Sequence, residues 1–432
     1  MEWVAGGGDS YQHFLISKYS FQHPELFFNH WGKPMFTVLS SSFAQFGMKG
    51  IEFFNLFCAL GSGYLAYLIS VKLRYDHAWL ALVFTLFAPV FYSHLFSALT
   101  EPLGALILLL ALFFLIEEKF KLAVILFSVN LFVRNETIIF LPILALYLVL
   151  VGQFKRLIWF FVLPVVFSFL GAIHYGSLFW IVEQFPYRGA KEIYGVGALS
   201  HFLDSYDNIT HLVISLALII GLLSYFTKFK ALLRLEKQVL FEWLLMSIGV
   251  GYLVAHSVSW WSGIGGSLGL ARVLIPVIPV FAIIATKGVA TLLFKLPEKP
   301  QHGLVVIIMC ITIYIPIERY RFPVGTGDFE QLAQRVAADY KGTFDNKIVA
   351  FFHPTLAYYL ELDPFIDENF DLVNNGTFPI TLMRSGDILI WDSALGPNEG
   401  GTTLSDLPQF EVLKEYVDHA QNKMVVLKKR GD

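Results

Sequence analysis

Cysteine is nearly missing. Cys58 and Cys310 are the only two in 432 residues, far apart and each inside an apolar stretch. That argues against a disulfide framework and a thiolate metal site. Charge is scarce too, at 15% of residues, and neither sign dominates, since the formal net charge is −3. No long basic run occurs, so nucleic acid is not indicated as a partner. The N-terminus has no basic stretch leading into an apolar one, so no cleavable signal peptide is visible and internal segments must direct insertion. No internal repeat stands out, unlike the paired halves of many transporters. The glycines of "GGGDSYQHF" are not a phosphate loop, because no Lys-Ser/Thr follows and no strand precedes them.

What is abundant is apolar surface. Hydrophobic residues make up 56% of the chain and the mean hydropathy is +0.61, which predicts an α-helical, multi-pass integral membrane protein. Apolar stretches fall at 51–71, 78–97, 102–116, 121–133, 137–151, 157–174, 209–226, 238–259, 272–286 and 301–317. About ten or more transmembrane helices are expected, several of them short of the ~20 residues a span needs and therefore tilted, broken or extended into their flanks.

Lys and Arg alternate along these segments. Lys72 and Arg74, Lys119 and Lys121, Lys155 and Arg156, the group Lys228, Lys230, Arg234 and Lys237, and then Lys287, Lys295 and Lys299 fall in one set of loops. The other set is sparser, with Lys18, Lys33 and Lys49, then Arg134, Arg188 and Lys191, and Arg272. By the positive-inside rule the first set is cytoplasmic. Residues 1–50 are then an extracytoplasmic first loop with interfacial helices, and 51–318 a transmembrane helical domain. From about 320 charges return. "DFEQLAQRVAADY" has helical apolar spacing, and "KIVAFF", "GDILIWD" and "KMVVLKK" read as strands, so 319–432 is expected to be a small extracytoplasmic α/β domain.

The residues with chemical potential collect on that outer side, as expected of a working face. Asp9 is read either as the N-cap of a helix starting near Ser10 or as a general base, and the two roles are compatible. His13 lies four residues on and shares its helical face. No third ligand stands at metal spacing, so no cofactor is implied and a divalent metal is the minor reading. "NHWGKPMF" offers His30, Trp31 and Lys33 as an interfacial anchor or as a substrate wall in which Lys33 meets a phosphate. Glu101 in "SALTEPLG" caps a helix or serves as a second acid. Arg134 and Glu136 in "FVRNET" form an ion pair or line the site. Tyr187 and Arg188 in "EQFPYRGAKEIYGVG" are expected to bind substrate. Arg272 in "SWWSGIGGSLGLARVLIPVIP" binds a phosphate bidentately or snorkels to headgroups.

In order and common sidedness, "GGGDSYQHF", "HWGKP", "TEP", "VRNE" and "ARVLIPVIP" resemble the GT-C superfamily of integral-membrane glycosyltransferases, of the mannosyltransferase and aminoarabinose-transferase kind. The resemblance spans nearly the whole chain, although each motif alone is weak. It implies a polyprenyl-phosphate-linked sugar as donor, a lipid, glycan or protein acceptor, and the membrane lipids as surroundings. Asp9 would correspond to the family's catalytic acid, acting as base in an inverting transfer at the outer face of a bacterial inner membrane. It also implies a span ahead of the acidic loop. Only eight residues precede Asp9, so such a span is expected upstream of Met1. A transporter or flippase of lipid-linked sugars, a glycan polymerase or ligase, and a non-enzymatic assembly factor are the competing readings.

Overall fold

The computed structural model describes residues 5–184, 190–264, 268–320, 327–344, 346–373 and 380–431. The first helix, α1 (Gly7–Tyr19), starts from Gly6 at φ 94°. Glycine is required there, because that φ is left-handed and a Cβ would lie 2.6 Å from the Leu99 side chain. Asp9 is thus in the first turn of α1 rather than at its N-cap, and its carboxylate makes no capping hydrogen bond. The expected N-cap is corrected for this reason: glycine opens the helix three residues earlier, and the carboxylate goes to a guanidinium instead.

Helix α2 (Pro34–Ala44) follows, then the long α3 (Met48–Lys72). The stretch 78–97 is not one span. It forms α4 (Leu80–Leu86) and α5 (Pro89–Tyr92), parted at Ala88, which is extended. Pro89 lacks an amide hydrogen and disfavours helix at the residue before it. Next come α6 (Glu101–Ile116), α7 (Phe120–Leu131), α8 (Phe140–Leu150) and α9 (Val162–Tyr175). The short α10 (Trp180–Glu183), α11 (Ala190–Tyr194), α12 (His201–Asp204) and α13 (Tyr206–Ile209) lead to α14 (His211–Phe226), α15 (Phe229–Leu233) and α16 (Lys237–Ser262). A 3₁₀ segment, Ala271–Val277, runs into α17 (Ile278–Leu293), and α18 (Glu298–Arg319) follows.

Among the described residues five helices are long and apolar enough to cross a membrane: Met48–Lys72, Phe154–Tyr175, Lys237–Ser262, Ala271–Leu293 and Glu298–Arg319. Their burial differs sharply. In the most apolar 18-residue stretch of each, 94% of the residues of Ala271–Leu293 are buried against 17% for Phe154–Tyr175 and Glu298–Arg319, so the first is the core of the bundle and the others turn apolar faces outward. The core is tight because α14 and α17 meet through glycines. A Cβ at Gly288 would stand 1.8 Å from the Ala217 carbonyl oxygen, and one at Gly221 would stand 2.1 Å from that of Ile284. Small residues let helix backbones approach where lipid supplies no hydrophobic drive. Gly288→Val is therefore expected to cost about 1–3 kcal/mol, read as a lower midpoint of thermal unfolding in detergent. Gly303→Ala, at a position with nothing within 4 Å of its Cβ, is the neutral control.

The C-terminal part holds α19 (Asp328–Tyr340), β1 (Val349–Phe351), α20 (Thr355–Tyr359), β2 (Asn369–Asp371), β3 (Ile388–Asp392), β4 (Phe410–Val417) and β5 (Lys423–Lys429). The sheet order is β2-β1-β3-β5-β4. The first three strands are parallel, and β5 and β4 are antiparallel additions. Strands β1, β3 and β5 and helix α19 lie where the sequence places them. β2 was not legible because its three residues, Asn369–Asp371, hold a single apolar side chain, whereas β1, equally short, lies in the apolar run "KIVAFF". β4 was not because it carries a bulge between Val412 and Lys414 and buries only residues near its ends.

This sheet region sits on α1. Tyr11, fully buried, hydrogen-bonds the Tyr359 hydroxyl at 3.0 Å, and its ring lies 5.1 Å from that of Tyr358. His23 contacts Asp363 at 2.9 Å. Burial, with Glu330 nearby, pushes the Tyr11 hydroxyl up from its ordinary value, so it stays a neutral hydrogen-bonding group. α1 is thereby held with one face on the sheet region and the other turned to a cavity.

Candidate active site

The cavity has a volume of about 1190 Å³. It is bounded by α1, the segment before α2, the start of α6, the 3₁₀ turn Asn135–Ile139, the C-terminal end of α16, Arg272 and the sheet region. Several local devices aim side chains into it. Asp9, Gln12 and His13 share a face of α1 and all line the cavity. Asn55 of α3 donates to the carbonyls of Ser97 (2.7 Å) and Leu99 (2.8 Å), which fixes the turn that delivers Glu101. Lys33 stands just ahead of Pro34 at φ 62°, a left-handed conformation that costs a non-glycine residue on the order of 1 kcal/mol. The strain turns a buried ammonium to the cavity wall, where it donates to the His30 carbonyl at 3.3 Å.

Acids and cations alternate at the centre. Arg272 pairs with Asp9, donates to the Gly6 carbonyl at 3.4 Å and brings its Nε within 3.7 Å of Glu101. Arg134 pairs with Glu101 at 2.8 Å and with Glu136, and donates to the Thr100 hydroxyl at 3.0 Å. Tyr252 donates to Glu136 at 3.3 Å. The degree of exposure separates the acids. The Asp9 side chain is 45% exposed and Glu101 only 4%. Asp9 can therefore meet a reactant, while Glu101 is locked between two guanidinium groups.

His13 is buried with its ring 4.6 Å from the indole of Trp31. Burial, then the charges of Lys33, Arg134 and Arg272, hold its pKa well below the ordinary histidine value, so it is neutral. His30 does not line the cavity. It lies behind Lys33, its ring edge-on to Trp180 at 6.2 Å, and burial brings its pKa down to about 4. Tyr187 and Arg188 lie outside the described residues. Asp9, Glu101, His13, Trp31, Lys33, Arg134, Glu136 and Arg272 are thus brought together on one cavity, and His30 is not. Among the described residues no group of three His, Cys, Asp or Glu side chains could hold a metal ion.

Gln12, Tyr194, His256, His353 and Glu399 also line the cavity, and the sequence had not singled them out. Gln12 carried a signal, three residues from Asp9 on the same helical face. His256 did too, as an ionisable residue inside an apolar segment. Tyr194 stands in the quoted stretch "EQFPYRGAKEIYGVG" but was not singled out, and His353 and Glu399 carried no signal, because only the docking of the sheet region brings them near residues hundreds of positions away.

No protein-family model matches the chain, and no curated protein matches it in sequence. Solved structures do match in shape. ArnT from Cupriavidus metallidurans in the apo state aligns over 99% of this chain and 94% of its own, with a TM-score of 0.59 and 13% identity. The same protein bound to undecaprenyl phosphate aligns over 98% of this chain and 94% of its own, with a TM-score of 0.61 and 12% identity. At such identities what is shared is the architecture. The chain therefore shares the fold of ArnT over nearly its whole length.

Proposed function

We propose that this protein is an integral-membrane glycosyltransferase that moves a sugar from a polyprenyl phosphate to an acceptor hydroxyl, inverting the anomeric carbon. The observation that carries the reading is the cavity in which a half-exposed Asp9 meets Arg272, with Arg134 and Lys33 on the same wall. Clustered cations are what a lipid-linked phosphate requires, and a fold neighbour has been solved with undecaprenyl phosphate bound. The alternation of Lys and Arg among the loops supports an outward-facing cavity in a bacterial inner membrane, with residues 1–50 and 319–432 on the outer side and 51–318 spanning it.

In this reading Arg272 leaves Asp9 when the donor phosphate enters, since the phosphate offers a better bidentate partner. The freed Asp9 carboxylate takes the acceptor proton as the acceptor oxygen bonds to the anomeric carbon. The bond from that carbon to the phosphate oxygen breaks, and its electron pair leaves with the lipid phosphate, where Arg272, Arg134 and Lys33 offset the new charge. Glu101 is assigned as an ionic strut that holds both guanidinium groups in place.

The test is transfer from a panel of labelled polyprenyl-phosphate sugars by the purified, bilayer-reconstituted protein, with products identified by mass spectrometry. Sugar transferred from at least one donor, with polyprenyl phosphate released, is the expected result. Movement of an intact lipid-linked sugar across the bilayer with no covalent product would replace this reading by that of a flippase.

A further inference from the structure

The sheet region does more than cover α1. Its three parallel strands run with their carboxyl ends toward the cavity, and each sends the loop that follows it into the lining. His353 and Pro354 come after β1, Val373 after β2, and Leu395 and Glu399 after β3. β1 is central, and the chain passes from it to β2 on one side and then to β3 on the other. In parallel α/β sheets such a reversal at the carboxyl edge opens the crevice in which ligands bind.

We propose that the loops after β1 and β3 form the acceptor wall of this cavity, with His353 and Glu399 reading a neutral, hydroxyl-bearing acceptor. The inference rests on the transfer reaction proposed above and assigns the side of the cavity left over by the donor. His353 is oriented for the role. Its Nδ1 accepts from the Thr355 backbone N–H at 3.4 Å and sits 2.7 Å from the Thr355 hydroxyl, which leaves the ring proton on Nε2. Phe329 stacks on the ring at 5.3 Å, and burial lowers the pKa to about 4, so the imidazole is a fixed neutral donor. Its edge lies against Gly8, where a Cβ would stand 3.6 Å from Nε2. His353 thus stands against the first turn of α1, on the cavity that Asp9 also lines.

Glu399 supplies the complementary acceptor. Among the described residues that the sheet region contributes to the lining it is the charged one, and the Tyr194 hydroxyl, from α11, donates to it. A carboxylate has room for further donors. On the helical side Asp9, Glu101 and Glu136 pair with Arg272 and Arg134, and Lys33 adds a further cation, whereas on the sheet side Glu399 meets no lining cation of that side among the described residues and so repels an anion. A hydroxyl satisfies both partners on that side, accepting from His353 and donating to Glu399.

The experiment uses the donor that the panel identifies. Acceptor probes are the methyl glycosides of glucose, mannose and galactose, with methyl glucuronide as the anionic counterpart. Transfer to a neutral glycoside and not to the glucuronide is expected. Glu399→Gln and His353→Phe should each raise the acceptor KM about tenfold, the scale of one lost hydrogen bond, with the donor KM within about twofold of the parent. His353→Gln, which keeps an N–H near the Nε2 position, should recover most of the loss. An equal rise in donor KM, an unchanged acceptor KM, preference for the glucuronide, or donor turnover with no glycoside accepted would each overturn the assignment. A parent protein that neither turns over any donor nor binds undecaprenyl phosphate removes the transfer reading itself, and this inference with it.

Discussion

Asp9→Asn is expected to lower kcat for transfer by about 10²–10⁴-fold, the usual contribution of a general base. Asparagine keeps the shape of the side chain and its place on α1 but cannot take a proton. The same substitution should strengthen binding of bare undecaprenyl phosphate. Asp9 is the partner of Arg272, so a phosphate must displace a carboxylate to reach that guanidinium. An ion pair of this partly exposed kind is worth up to about 1 kcal/mol, and its removal should tighten phosphate binding by up to about fivefold. A purely structural role for Asp9 would lower both quantities together. Opposite signs for turnover and phosphate affinity are the signature to look for, by steady-state kinetics and by equilibrium binding of the lipid phosphate. Full activity in Asp9→Asn would move the base elsewhere in the cavity.

Arg272→Met is expected to lower kcat/KM for the donor by about 10²–10³-fold, mainly by removing a cation that stabilises leaving-group charge. Its second effect is on folding. Arg272 touches Asp9 and approaches Glu101, so the variant takes the guanidinium from Asp9 and leaves Glu101 with Arg134. Asp9→Asn combined with Arg272→Met removes one charge of each sign and should regain thermal stability relative to Arg272→Met alone while remaining inactive. A double-mutant cycle separates the two roles, because stability is restored only if the pair is a direct contact, whereas activity requires both groups to be present. Arg272→Lys keeps the charge without the bidentate fork and should fall between parent and Met in donor affinity. Parent-like donor affinity in Arg272→Met would leave snorkelling as the residue's role.

The organisation of the membrane part was legible because its signal is local. Apolar runs read off in one dimension gave the helical segments, and the error at 78–97 came from a single proline whose effect on Ala88 is also local. The cavity was only partly legible. Asp9 and His13 share a helical face by spacing alone, and Arg134 and Glu136 are neighbours in the chain. The meeting of Asp9 with Arg272 depends instead on how α1 packs beside the start of the Ala271–Val277 turn, and spacing says nothing about two residues so far apart.

By itself the sequence determined a helical chain apolar enough for a membrane, the alternation of Lys and Arg among its loops, and the acids and cations that stand beside its apolar stretches. Composition and period determine these properties, because transfer from water to hydrocarbon and the pitch of a helix act on each residue where it stands. Only the tertiary structure decided which acid is half-exposed and which is locked between guanidinium groups. It also decided that His30 stands behind the wall, and that the carboxyl ends of β1, β2 and β3 close the cavity over α1. Those outcomes come from packing and long-range ion pairing. Such contacts join residues that the chain separates by hundreds of positions, so their energies are written in no single stretch of it.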